Sequence, residues 1–360
     1  MGGRALKNIS PERLPRDKYL ELEKDIINKI KELLPTYYVP RYFPNKETFG
    51  DLDILYHSNI TKQDLLQEII KLLDSKEYIT EGQTISCEYN NFQIDFIKVE
   101  EEYYEFNKCF LDFSGFGQIL SRMFKGHELK YRHNGLYLKV YENHNPTKCL
   151  DEIYLTDDVN KMFNFLGLDF NKFQEGFERE EELYYYLVNC NYFAYGIYLE
   201  NQNHIIKKRI EKRPIYEGFI NFITNKQKEE NLKETNKLKE SKELDIEIVE
   251  NYEENINFVD FFKNDKDEFV SYVLNYFDKQ IEYEKIIEKE KNKVTIKSKF
   301  NGKIVENITN LKNKNLGKFI ELFKNELKNE NNNFEEFILN NEEYIINDRI
   351  RLFFDSYKNL

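Results

Sequence analysis

The chain has 360 residues, enough for two or three packed units with at least one sizeable core, so length excludes neither an enzyme nor a multi-domain protein. A formal net charge of −12 excludes a uniformly basic coat for nucleic acid, and any phosphate-binding groove has to be local. Four dispersed cysteines, Cys87, Cys109, Cys149 and Cys190, form no C-x-x-C pair, which argues against a zinc ribbon or a disulfide framework and for a reducing compartment.

Pro15 sits where a first helical turn tolerates proline. Leu20, Ile26, Ile27, Ile30, Leu33 and Leu34 then recur at helical spacing until Pro35 stops the run. After a Tyr- and Pro-rich connector, Gly50-Asp51-Leu52-Asp53-Ile54-Leu55-Tyr56 alternates polar and apolar like a half-buried strand, with both aspartates on one face. Residues 61–73 read as an amphipathic helix, 84–89 as a strand, Asn90-Asn91 as its turn and 92–97 as the returning strand. The pattern predicts an α+β layer. Residues 112–216 read as aromatic-rich and more helical, and 226–243, almost purely Lys, Glu, Asn and Gln, as a solvated helix or a linker. Beyond lie an aromatic helix near 258–277, a hairpin turning at Asn301-Gly302 between 294–300 and 303–308, and terminal helices.

Asp51 and Asp53, two apart on a strand, present carboxylates side by side, and Asp95 on the returning strand supplies a third. Two hard cations close together need several oxygen ligands, which suits two Mg²⁺ or Mn²⁺ ions completed by nucleotide phosphates. An isolated D-x-D is more often a solvated strand face. Here Gly50 precedes the pair and permits close backbone approach, and apolar Ile94 and Phe96 flank Asp95, so burial calls for a cation.

The run 46–55, Lys-Glu-Thr-Phe-Gly-Asp-Leu-Asp-Ile-Leu, resembles the palm motif of family X DNA polymerases, the polymerase β type. Arg13-Leu14-Pro15-Arg16 is similar to the segment that opens that palm, and Ile94-Asp95-Phe96 to its third-aspartate strand. Asp112-Phe113-Ser114-Gly115 resembles the turn beside the incoming sugar; Thr156-Asp157-Asp158 and the helix ending Leu166-Gly167-Leu168 resemble part of the thumb. The resemblance covers roughly the first half of the chain. It implies a nucleotidyltransferase palm at 11–116, a mixed sheet with helices on one face, and a thumb-like domain at 117–225; the residue pattern adds a charged linker or solvated helix at 226–246 and a mainly helical C-terminal domain with the hairpin at 247–360.

By the same resemblance Asp51, Asp53 and Asp95 are catalytic metal ligands. Arg13, Arg41, Lys46, Gly50, Phe113, Ser114, Gly115 and Arg122 bind the nucleotide, with Ser121 near its base. The family's phosphate-gripping Gly-Ser corresponds to Pro40-Arg41 here; Arg41, Lys46 and Arg13 offer compensating charge, but side chains do not restore the backbone donor that proline removes. No lyase-like or fingers domain is expected before Arg13, and Gly2-Gly3-Arg4 is a candidate anion nest or a free terminus.

Lys207, Lys208, Arg209, Lys212 and Arg213, beside Tyr198, Tyr216 and Phe219, form the best local nucleic-acid patch, offering phosphate contacts and stacking platforms. A solvated helix face explains the same residues. Together these features imply an enzyme that adds nucleotides from a nucleoside triphosphate to a nucleic-acid 3′-hydroxyl of DNA or RNA. The alternatives are an RNA terminal nucleotidyltransferase of the tRNA or poly(A) type, and a catalytically reduced nucleic-acid-binding module. No stretch approaches a membrane span and no signal core opens the chain, so a soluble, intracellular protein is expected, in the cytoplasm or at a site of viral or plasmid replication. Oligomeric state is open.

Overall fold

The computed structural model describes residues 5–7, 13–142, 145, 147–200, 204–211, 213–243, 266–329 and 333–358. It is a mixed α+β structure in two compact units, Met1–Lys139 with Glu152–Phe277, and Val140–Asp151 with Asp278–Leu360. The boundaries expected near 117 and 226 both fall inside the first unit.

In the first unit, helix α1 (Arg16–Ile30) starts at Pro15, whose φ of −60° is already helix-compatible, and ends before Pro35. Its buried positions are Tyr19, Ile26 and Ile30; Leu20, one place from Tyr19, is left exposed. Helix α2 (Lys62–Leu73) is capped by Thr61, whose side chain accepts the Asp64 backbone N–H, and it buries Leu65, Ile69 and Leu73. Both helices pack on a five-stranded sheet of β2 (Tyr37–Tyr38), β4 (Asp51–Tyr56), β5 (Tyr78–Glu81), β6 (Thr84–Tyr89) and β7 (Phe92–Lys98), in the order β2-β4-β7-β6-β5. Two further strands, β1 (Leu14–Pro15) and β3 (Thr48–Phe49), pair separately.

The sheet is mixed: β4 and β7 run parallel, and every other pair is antiparallel. Asn90 and Asn91, with φ of 50° and 60°, make the left-handed two-residue turn that the right-handed twist of β6 and β7 favours. Strand alternation then sorts the two faces. Leu52, Ile54 and Tyr56 of β4, Ile85 and Cys87 of β6, and Phe92, Ile94 and Phe96 of β7 join the core under α1 and α2. Burying each of these aliphatic or aromatic side chains stabilises by about 1.5–3 kcal/mol. Asp51, Asp53, Ser86, Gln93 and Asp95 therefore share the opposite face.

Farther along, Asp158 caps the helix Val159–Leu166 by accepting the Lys161 N–H, and Gly167, with φ of 68°, ends it. The charged stretch after 225 continues the helix Pro214–Glu243.

The second unit corrects the expected hairpin. Residues 294–299 belong to the helix Gln280–Lys299, and Gly302–Thr309 is the next helix. Asn301 caps that helix by accepting the Ile304 N–H at 3.0 Å, so Asn-Gly here starts a helix and does not turn a hairpin. Phe300, Val305, Phe319, Phe323, Ile338, Ile346 and Ile350 form its core. The expected aromatic helix is seen at Lys266–Phe277, and residues 258–265 lie outside the described residues.

Candidate metal centre

The parallel register of β4 and β7 sets Asp51 beside Gln93 and Asp53 beside Asp95. One carboxylate oxygen each from Asp51, Asp53 and Asp95 lies within 4.8 Å of the others, with all three side chains partly exposed. This is the only such acidic group found among the described residues. Burial is the first cause raising the Asp53 pKa well above the usual carboxylate range, and the charges of Asp51 and Asp95 push the same way while Lys46 opposes them. Asp95 is pushed up to about 6, again first by burial; hydrogen bonds from Ser86 and Gln93 pull it down, and Asp51 adds to the rise. Crowded, desolvated carboxylates favour either protons or cations. Three hard oxygen donors on adjacent strands could hold a metal ion.

Two cations flank the carboxylates. Lys46 lies 4.3 Å from the centroid of the Phe49 ring, and burial lowers its pKa, with Arg13 adding to the fall and Asp51 and Asp53 opposing it. Arg13 is exposed; its Nε donates to Thr48 Oγ1 at 3.0 Å and its Nη2 to the Thr48 carbonyl at 2.7 Å, and no carboxylate pairs with it among the described residues. The pairing of β1 with β3 sets Arg13, which precedes β1, against Thr48, and Lys46 lies close enough to Asp51 and Asp53 to feel their charge. Gly50 joins β3 to β4 without a positive φ.

Arg41 is engaged elsewhere. Its Nη2 lies 2.6 Å from Asp112 Oδ2, its Nε donates to the same oxygen at 2.7 Å, and its Nη1 donates to the Phe173 and Gln174 carbonyls. Its guanidinium also lies against the rings of Phe113 and Phe173. Phe113 is buried among Phe43, Phe173 and Phe177, and both it and Ser114 adopt left-handed backbone conformations. Gly115 is required by contact: a Cβ there would lie 2.1 Å from the Ile215 side chain. Arg122 Nε donates to the Ile197 carbonyl at 2.9 Å, and Ser121 Oγ to the Gly117 carbonyl. Arg41, Ser121 and Arg122 thus bond to their own chain, Phe113 and Gly115 are buried, and Ser114 is exposed.

The basic patch changes in character. Tyr198, Tyr216 and Phe219 are buried, which corrects their expected role as stacking platforms: Tyr216 and Phe219, one turn apart on the helix Pro214–Glu243, pack against Tyr198 from the helix Tyr195–Leu199. Lys208 is exposed and Arg213 half-buried, while Lys212, the side chains of Lys207 and Arg209, and Gly2-Gly3-Arg4 lie outside the described residues.

Sequence reasoning missed Ser86 and Gln93, the side-chain donors to Asp95. The signal was present: Gln93 is two residues from Asp95 on one strand, and a two-residue turn at 90–91 pairs Ser86 with Asp95. A concavity of about 490 Å³ lies apart from the triad, lined by Leu20, Glu23, Ile27, Tyr37 and Val39 among others. No protein-family model matches the chain, and no curated protein matches it. No described helix is long and apolar enough to cross a membrane.

Proposed function

We propose that the chain is a metal-dependent nucleotidyltransferase with a polymerase β-like palm and thumb, which adds nucleotides from a nucleoside triphosphate to the 3′-hydroxyl of a nucleic acid. The observation that carries this reading is the meeting of Asp51, Asp53 and Asp95 on the parallel pair β4 and β7. The three would hold two divalent ions, Mg²⁺ or Mn²⁺, which when bound supply the Lewis-acid chemistry of an in-line displacement at phosphorus. Asp95, by the resemblance a ligand of the catalytic ion, would also help take the proton of the attacking hydroxyl on a carboxylate oxygen. Ser86 and Gln93 hold that carboxylate in place. Lys46 and Arg13 offer positive charge to the triphosphate from the flank of the site.

The test is incorporation of each ribo- and deoxyribonucleotide onto DNA and RNA primers, templated and untemplated, with Mg²⁺ or Mn²⁺. Incorporation that Asp53→Asn removes supports the reading, and preference for RNA ends without template points to the terminal-transferase form. A second reading, a nucleic-acid-binding module with reduced catalysis, draws on the engagement of Arg41 by Asp112 where the family grips phosphate. Binding to nucleic acid with no transfer under any of these conditions favours it.

A further inference from the structure

Gln93 is a buried amide, 2% exposed, with partners at both ends. Its Nε2 donates to both oxygens of Asp95, each at 2.9 Å. Its Oε1 accepts the backbone N–H of Ala5 at 2.9 Å and that of Leu6 at 3.5 Å. Turning the amide over would set its oxygen against the carboxylate and its N–H₂ against backbone N–H groups, a mismatch at each end that the buried site penalises.

The segment that supplies those N–H groups is itself tied down. Leu6 is 5% exposed, and the Lys7 N–H donates to Glu77 Oε1 at 2.8 Å, on the connection that leads into β5. Residues 5–7 are some ninety positions from Asp95 in sequence, and a single side chain joins the two. A neutral amide has a further consequence. It orients the carboxylate without neutralising it, and a carboxylate with about four lone-pair sites can accept from Gln93 and still ligate a cation.

We propose that residues 5–7 form a strap that positions Asp95 through Gln93, so that docking of the strap sets the metal affinity of the acidic site. Gln93 is a positioning residue, and Leu6 is the anchor that keeps its amide oriented. The inference rests on the acidic triad holding a divalent ion, as in the proposed function, and does not need turnover.

The experiment measures Mn²⁺ binding to the full chain by electron paramagnetic resonance, in parallel with nucleotide incorporation and metal-free thermal unfolding. Gln93→Leu and Leu6→Asp should each weaken Mn²⁺ binding about tenfold or more, the usual effect of removing an outer-sphere partner. The double variant should bind no more weakly than Gln93→Leu alone, because both changes break one relay. Ala5→Pro, which deletes one strap N–H and leaves Leu6 in place, should weaken binding severalfold and serves where Leu6→Asp does not fold.

Unchanged Mn²⁺ affinity in Gln93→Leu overturns the proposal, as does loss in Gln93→Leu with wild-type affinity in both folded strap variants. Failure of the unaltered chain to bind Mn²⁺ overturns it together with the proposed function. Strap-dependent Mn²⁺ binding without any incorporation removes the nucleotidyltransferase reading alone.

Discussion

Asp112 and Asp53 are both carboxylates whose pKa burial pushes upward, and their neighbours act in opposite directions. Around Asp112 every other contributor opposes burial. Arg41 supplies its guanidinium and its backbone N–H, and Tyr38 donates its hydroxyl at 2.7 Å. Around Asp53 the nearest charges, Asp51 and Asp95, reinforce burial, and Lys46, itself desolvated, is the opposing cation. The first region is closed by the chain's own charge and joins residues 38–41 to 112–113 and 173–174. The second carries like charges together and gains most from a cation brought from outside.

The sharpest break in this comparison is made at the carboxylates. Asp53→Asn should lower nucleotide incorporation by about a thousandfold or more, since a lost metal ligand removes several kcal/mol of charge stabilisation. Retention of full activity in that variant would separate the triad from catalysis. At the closed region, Arg41→Ala should destabilise the fold by about 3 kcal/mol in denaturant titrations, because it strands a buried carboxylate. A neutral result there would mean that water reaches Asp112.

A change of opposite sign is expected at the open region: Asp53→Asn should stabilise the metal-free chain by roughly 1 kcal/mol, because it relieves repulsion among partly exposed groups. Added Mg²⁺ or Mn²⁺ should raise the unfolding temperature of the unaltered chain but not of this variant.

The pH dependence follows from the raised value of Asp95. Its folded pKa of about 6 exceeds the ordinary 3.8, so between these values the folded state binds more protons than the unfolded one. Its contribution to metal-free stability is therefore fully present below about pH 4 and is lost as pH rises through about 6. Metal affinity should rise over the same interval as the carboxylate loses its proton, and calorimetry across pH 5–7.5 would test the sign. At the closed region a smaller effect than that of Arg41→Ala is expected from Tyr38→Phe. It removes one donor to Asp112, should cost about 1–2 kcal/mol, and should leave Mn²⁺ affinity unchanged.

Much of the acidic layer was legible because its signals are local. Period-two alternation around Asp51 and Asp53, Thr61 before an amphipathic run, and paired asparagines between two strands each specify a conformation within a few residues. The resemblance puts Arg41 at the phosphates, because it matches the family's phosphate-gripping pair, and nothing local marks the partner it has in the structure. Asp112 is 71 residues away. At Asn301-Gly302 two local meanings compete, hairpin turn and helix cap, and the packing of Phe300 and Val305 in the helical core accompanies the second.

The sequence by itself determined which face of β4 is acidic and that β6 and β7 form a hairpin, since side-chain alternation and turn chemistry act over short distances. Only the tertiary structure decided that β7 lies between β4 and β6 and runs parallel to β4. That pairing joins strands some forty residues apart, brings Asp95 to Asp53, and admits residues 5–7 to Gln93; sheet order across such separations is set by burial of whole faces and not by any short motif.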